Sequence, residues 1–204
     1  MESEYVGFGG TKSDEYKRFQ KIKSNATDEE LVELINHENP IVRTYGFLGL
    51  IEREKMKPSD AFEKALENNE SFSKMRSDQI LTSGICTQIY FDLLNRTSKN
   101  NQQIKVIDSI IIYEIDSTHF LHHMALNDKK HQSTFDIRIR HLAEKYQNKA
   151  AILYLDRHAI EVDTTQIIES INFIVENKFI GSDPKKRLIE LRNKLKTKKD
   201  DNKR

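Results

Sequence analysis

Cysteine is almost missing from this chain. A single residue, Cys86, among 204 excludes an internal disulfide and a four-cysteine zinc site. Tryptophan is absent, and 7 glycines with 3 prolines are too few for a sandwich of many short strands joined by tight turns. No apolar run approaches the ~18 residues of a membrane helix. Charge of one sign is also lacking: 33 Lys and Arg stand against 32 Asp and Glu, a net charge of +1. The start, Met1-Glu2-Ser3-Glu4, has neither the basic nor the apolar region of a signal peptide. These absences lead to the expectation of a cytoplasmic protein with no membrane span. Its 204 residues are enough to bury a core without staples.

What is present is a succession of polar, amphipathic stretches at helical spacing. The expected organisation is an extended N-terminal arm over residues 1–12, a single helical domain over 13–195 and a basic disordered tail over 196–204. The arm holds Gly7, Gly9 and Gly10, but Lys12 and the lack of a preceding strand rule out a dinucleotide fingerprint. A first helix is expected from Ser13 to Ser24. Thr27-Asp28-Glu29-Glu30 is the clearest start signal, a capping box in which Thr27 and Glu30 satisfy each other's backbone amides. Leu31, Leu34 and Ile35 then form the stripe of a short helix. Asn39 is a good N-cap and Pro40 is pre-organised for the first helical position. The helix that follows, about Pro40 to Glu54, is apolar over most of its circumference. Gly46 and Gly49 weaken it intrinsically and imply close approach of a neighbouring helix.

The segment from Thr27 to Glu54 resembles a HEAT-type helical hairpin. Asn39, Pro40, Val42, Arg43, Gly46 and Leu50 match the pattern of an Asn or Asp, a Pro, a Val-Arg pair and then alternating small and large apolar residues. Small bacterial HEAT-like proteins of unassigned function are similar. No second clean copy appears at the ~40–47-residue period. The resemblance implies an all-α fold, an irregular HEAT-like α-helical array of stacked hairpins. It also implies a structural role for Arg43, paired or bonded to carbonyls rather than facing a ligand.

Further along, Pro58-Ser59-Asp60 opens a short helix carrying Ala61, Phe62, Ala65 and Leu66. Residues 71–84 are ambiguous, with Gly84 marking a kink or stop. Residues 102–115 fit a helical stripe through Ile104, Ile107, Ile111 and Ile115, yet they are rich in the β-branched residues of a buried strand. Helix is preferred, because a lone strand would leave its backbone groups unsatisfied. Further helices are expected from Thr118 to Leu126, over 133–147 and 149–158, from a cap at Asp163 or Thr164, and from Asp183-Pro184 onward. The total is nine or ten.

Chemistry-bearing patterns are sparse. His119, His122 and His123 fall on one helical face, but no carboxylate interleaves them as in zinc-protease motifs, so structural or solvated imidazoles are expected. Cys86, beside Ile85 and Ile89, reads as a buried, inert thiol. No catalytic residue and no cofactor is expected. The strongest charge asymmetry is at the C-terminus. Residues 184–204 carry ten basic residues against three acidic, a net of +7, and residues 1–183 stand at −6. Lys185, Lys186, Arg187, Arg192 and Lys194 are candidate phosphate contacts, although no aromatic residue is interleaved for base stacking. The expected function is therefore non-enzymatic, a protein–protein interaction scaffold whose partner is another protein. The alternative is a nucleic-acid-binding module using the basic C-terminal segment. A hydrolase or glycosylase on a HEAT-like fold ranks third.

Overall fold

Capping and apolar spacing place the helix starts almost residue by residue. The computed structural model describes residues 1–6, 10–97, 101–116, 119–127, 129–177 and 182–201. The expected cap at Thr118, the Gly181 loop and the last tail residues lie outside these. The chain is all-α in class. Among the described residues, eleven α-helices pack on their neighbours, and the strands are confined to one small sheet. The chain divides into two compact units, Met1–Ile107 and Asp108–Arg204.

The first unit opens with β1 (Glu2–Val6) and β2 (Thr11–Lys12), then α1 (Asp14–Asn25), α2 (Asp28–Leu34), α3 (Pro40–Glu52) and α4 (Pro58–Leu66). A hairpin of β3 (Ser71–Ser77) and β4 (Gln79–Gly84) leads into α5 (Ile85–Arg96), and α6 (Gln102–Glu114) begins here. The Thr27–Glu30 capping box is formed on both sides. Asn39 accepts the Ile41 amide at 2.9 Å, with Pro40 in the first helical turn. Residues 102–114 are helical, as preferred.

The two glycines of α3 face α2. A Cβ at Gly46 would stand 2.8 Å from Ile35 Cγ2 and 2.9 Å from Ile35 N, and one at Gly49 would stand 2.9 Å from Leu31 Cδ2. The two helices therefore touch nearly backbone to side chain, and a methyl group would not fit at Gly46. Leu31, Leu50, Phe62, Ile85, Ile89 and Tyr90 are buried around this contact. A smaller cluster stacks Phe19 on Tyr45 at 4.4 Å between ring centroids, with Leu48 and Met1 against them.

The sheet was not anticipated. Its strand order is β2-β1-β3-β4. β1 pairs parallel with β3, and both flanking pairs are antiparallel. The ambiguous residues 71–84 are thus a hairpin, and Gly84 ends a strand rather than a helix. The arm is extended, but it is paired rather than free. Two-residue β2 and polar β3 carry no apolar alternation strong enough to announce a strand, and β1 acquires its partner some seventy residues later in the chain.

The second unit holds the rest of α6, then α7 (His119–Leu126), a single 3₁₀ turn (Ser133–Phe135), α8 (Asp136–Glu144), α9 (Lys149–Arg157), α10 (Thr164–Asn177) and α11 (Ser182–Asp201). Ile139, Leu142, Ala151, Ile171, Ile174 and Leu188 form its core. Asp163, rather than Thr164, caps α10 by accepting the Thr165 amide at 2.9 Å and the Gln166 amide at 3.1 Å. Residues 196–201, expected to be disordered, continue α11. The lysines there have good helix propensity.

Candidate functional site

Arg43 is 6% exposed. Its Nη1 donates to His37 O at 2.9 Å and Glu38 O at 3.1 Å, the two carbonyls closing the loop before α3. Nη2 lies 3.0 Å from the Glu70 carboxylate, an ion contact without hydrogen-bond alignment. The guanidinium thus clamps the α2–α3 loop to the segment entering β3. Val42 and Pro40 are half-buried, and Gly46 and Leu50 are buried. These residues serve capping, loop closure and packing of α3.

Cys86 is fully buried, its Sγ 3.7 Å from Phe62 O, and burial pushes its thiol up to about 12. At neutral pH it holds its proton and is no nucleophile.

His122 and His123 separate, and the side chain of His119 lies outside the described ones. His122 is fully buried, with Nδ1 2.9 Å from Asn148 Nδ2. Asn148 is buried too, and its Oδ1 caps α9 by accepting the Ala151 amide at 3.1 Å. His122 is therefore tied to the cap of a helix. His123 is exposed. Among the described residues, no three His, Cys, Asp or Glu side chains converge as metal ligands would.

Two features of the molecule could engage something outside it. The first is β4. It ends the sheet, so its outer edge has no strand partner among the described residues. Ile80 is 74% exposed and Leu81 42% exposed there, and Gln79–Gly84 contains no charge and no proline to discourage pairing. The hairpin is held to α5 by a polar chain in which Lys74 Nζ donates to Gln88 Oε1 and Gln88 Nε2 donates to Ser83 Oγ. Burial, with Arg76 nearby, holds the Lys74 ammonium below the usual lysine range.

The second is a cavity of about 140 Å³ within the second unit. Helix α9 supplies Lys149, Ala150, Leu153 and Arg157 to its wall. Helix α7 adds His123 and Leu126, the turn after it adds Asn127, and α11 adds Asp183 and Arg187. Arg157 reaches the end of α7, with Nη2 3.3 Å from Asn127 Oδ1. A guanidinium at the negative end of that helix is favourably placed. Sequence reading singled out His123 and Arg187 for unrelated reasons; the fold brings them to one cavity. It missed Lys149 and Arg157. Their spacing with Leu153, i, i+4 and i+8, marks one stripe of α9, a signal available in the sequence.

Of the basic C-terminal candidates, Lys185, Lys186 and Arg187 are exposed. Arg192 instead donates to Asn172 Oδ1 at 3.0 Å, and Lys194 pairs with Asp156 at 3.3 Å. No helix among the described residues is long and apolar enough to cross a membrane.

Comparison of the chain with protein-family models finds no matching family, and comparison with curated proteins and with solved structures finds no match either.

Proposed function

We propose that this protein is a non-enzymatic, HEAT-like interaction scaffold that binds another protein. The observation that carries the reading is the open, uncharged β4 edge with Ile80 and Leu81 turned to solvent. Natural sheets commonly protect such an edge with charge, proline or a covering element. An edge left open and apolar accepts an extended segment of a partner as an added strand, with main-chain hydrogen bonds giving affinity and alternate side chains giving specificity. The α2–α3 hairpin, clamped by Arg43 to the segment entering β3, ties the sheet to the helices.

A photo-crosslinking residue at position 81 tests this in the native host. The expected result is one discrete crosslinked protein, lost when Ile80→Lys is introduced and absent when the crosslinker replaces exposed Lys64 on α4. Crosslinks that ignore Ile80→Lys, or that form equally from position 64, would sink the reading. Ile80 is exposed enough that the lysine should leave the helical circular dichroism and melting temperature unchanged.

Binding of nucleic acid along α11 is the second reading. The exposure of Lys185, Lys186 and Arg187 favours it. The engagement of Arg192 and Lys194 within the fold weighs against it.

A further inference from the structure

We infer that the cavity among α7, α9 and α11 binds a small organic carboxylate with a compact apolar body. Three observations combine. The first is charge. Lys149, Arg157 and Arg187 line the cavity against the one carboxylate of Asp183. Neither Lys149 nor Arg187 has an ion pair or a side-chain hydrogen bond among the described residues, so their charges are not spent inside the fold. Three cations facing one cavity against a single carboxylate leave it with an excess of positive charge, which favours an anion.

The second is the floor. Leu126, Ala150 and Leu153 are apolar, and Leu126 and Ala150 are buried. A bare phosphate or sulfate would gain nothing from them, whereas an organic body would. The third is size. At about 140 Å³ the space is close to that of a cavity that takes up a benzene ring, ~150 Å³. It is too small for a nucleotide or a folded peptide element. A carboxylate at the rim, meeting the Lys149 ammonium and the Arg187 or Arg157 guanidinium, leaves a benzoate-sized body over the leucines. The positive end of the α9 dipole begins at Lys149 and adds to the attraction. Planar guanidinium groups suit a carboxylate in particular, because their paired N–H groups match its two oxygens.

This inference is independent of the sheet edge. Its test uses the full chain and three probes: benzoate, benzyl alcohol and inorganic phosphate. Amide chemical shifts are followed by two-dimensional NMR as each is titrated to roughly 10 mM, the range in which a weak small-molecule site saturates. Benzoate should saturate and move the amides of Lys149, Ala150 and Leu153. Benzyl alcohol should move the same amides but bind about tenfold more weakly, the loss of one charge-assisted contact. Phosphate should bind more weakly than benzoate. Lys149→Gln and, separately, Arg187→Gln should each weaken benzoate about tenfold. Both residues lie at the cavity rim, and an unchanged spectrum elsewhere verifies the fold. Failure of benzoate to saturate would overturn the proposal. So would phosphate binding as tightly as benzoate, or benzoate affinity indifferent to both substitutions.

Discussion

Arg43 decides how far the hairpin resemblance can be trusted at the level of a single side chain. Burying a guanidinium is costly unless its donors are used. Here two donations close the loop ahead of α3, and Glu70 balances the charge. Glu70 is half-exposed, so its contribution is screened and the carbonyl bonds carry most of the effect. Arg43→Ala should therefore destabilise the protein by about 1.5–3 kcal/mol, the scale of hydrogen bonds to a charged group. Arg43→Lys should recover only part of this, because the shorter lysine has one nitrogen where Arg43 uses two, Nη1 on the carbonyls and Nη2 toward Glu70. Urea unfolding monitored by circular dichroism reads both. A loss under about 0.5 kcal/mol for Arg43→Ala, the scale of ordinary surface changes, would mean that the side chain is not structural. Cys86 illustrates the same logic with the opposite sign. Its thiol is inert because apolar neighbours bury it, which was legible from Ile85 and Ile89 beside it. The division of His122 from His123 was not legible. Both fall on the stripe that helical spacing allows, but only the packing of α9 determines which one meets Asn148.

At the scale of elements, the α2–α3 contact turns on Gly46. In an open helix, replacing glycine by alanine gains about 1 kcal/mol of propensity. At Gly46 the new methyl would meet Ile35 Cγ2 at 2.8 Å and, more tellingly, backbone atoms at 2.9 and 3.0 Å that cannot swing aside. Gly46→Ala should thus destabilise by about 1–3 kcal/mol, the usual cost of overpacking. Gly49→Ala should cost less, because its nearest neighbours are the ends of the Leu31 side chain. Thermal unfolding of the two variants side by side checks the order. A Gly46→Ala protein more stable than the parent would show that α2 and α3 do not approach as described. This contact was foreseeable, since two glycines three apart in an apolar helix need a reason. The helix starts were equally legible, because Thr27, Asn39 and Asp163 each carry a cap in the sequence. Helix ends were harder to place. Glu54, Gln147 and Ala159 take positive φ of 57°, 49° and 52° where chains commonly use glycine, so no residue type announces these stops. The strands were hardest, because a strand's stability lies in its partner. β1 finds β3 only through the fold, and the polar residues of β3 give no period-two stripe.

For the whole molecule, the question is where its basic charge goes. Local composition marked residues 184–204 as the place for phosphate contacts, and counting could go no further. The fold places the five candidate contacts in three ways. Arg192 bonds to the neutral amide of Asn172, and Lys194 pairs with Asp156 at the surface. Arg187 turns to the α7–α9–α11 cavity. Lys185 and Lys186 remain on the surface. The cavity itself was only half legible. The α9 stripe was there to be read, but α7 and α11 lie some sixty residues apart in the chain and come together only through packing. Counterion release scales with the number of phosphates neutralised, and of the five candidate contacts Arg192 and Lys194 already have partners in the fold. The region also lacks aromatic residues for stacking, and residues 1–183 carry a net −6. The expected outcome is weak binding of dye-labelled duplex DNA or single-stranded RNA by fluorescence anisotropy, with a dissociation constant above roughly 10 μM at physiological salt, set by non-specific attraction alone. Lowering the salt should strengthen it with a shallow slope. Lys185→Gln with Lys186→Gln should reduce that slope by up to about two phosphate contacts, and should leave the Arg187-lined cavity untouched. Micromolar or tighter binding at physiological salt, lost in this double variant, would replace the protein-binding scaffold with the nucleic-acid reading. The cost of that result would fall on the β4 edge, which would then need a different reason for being left open.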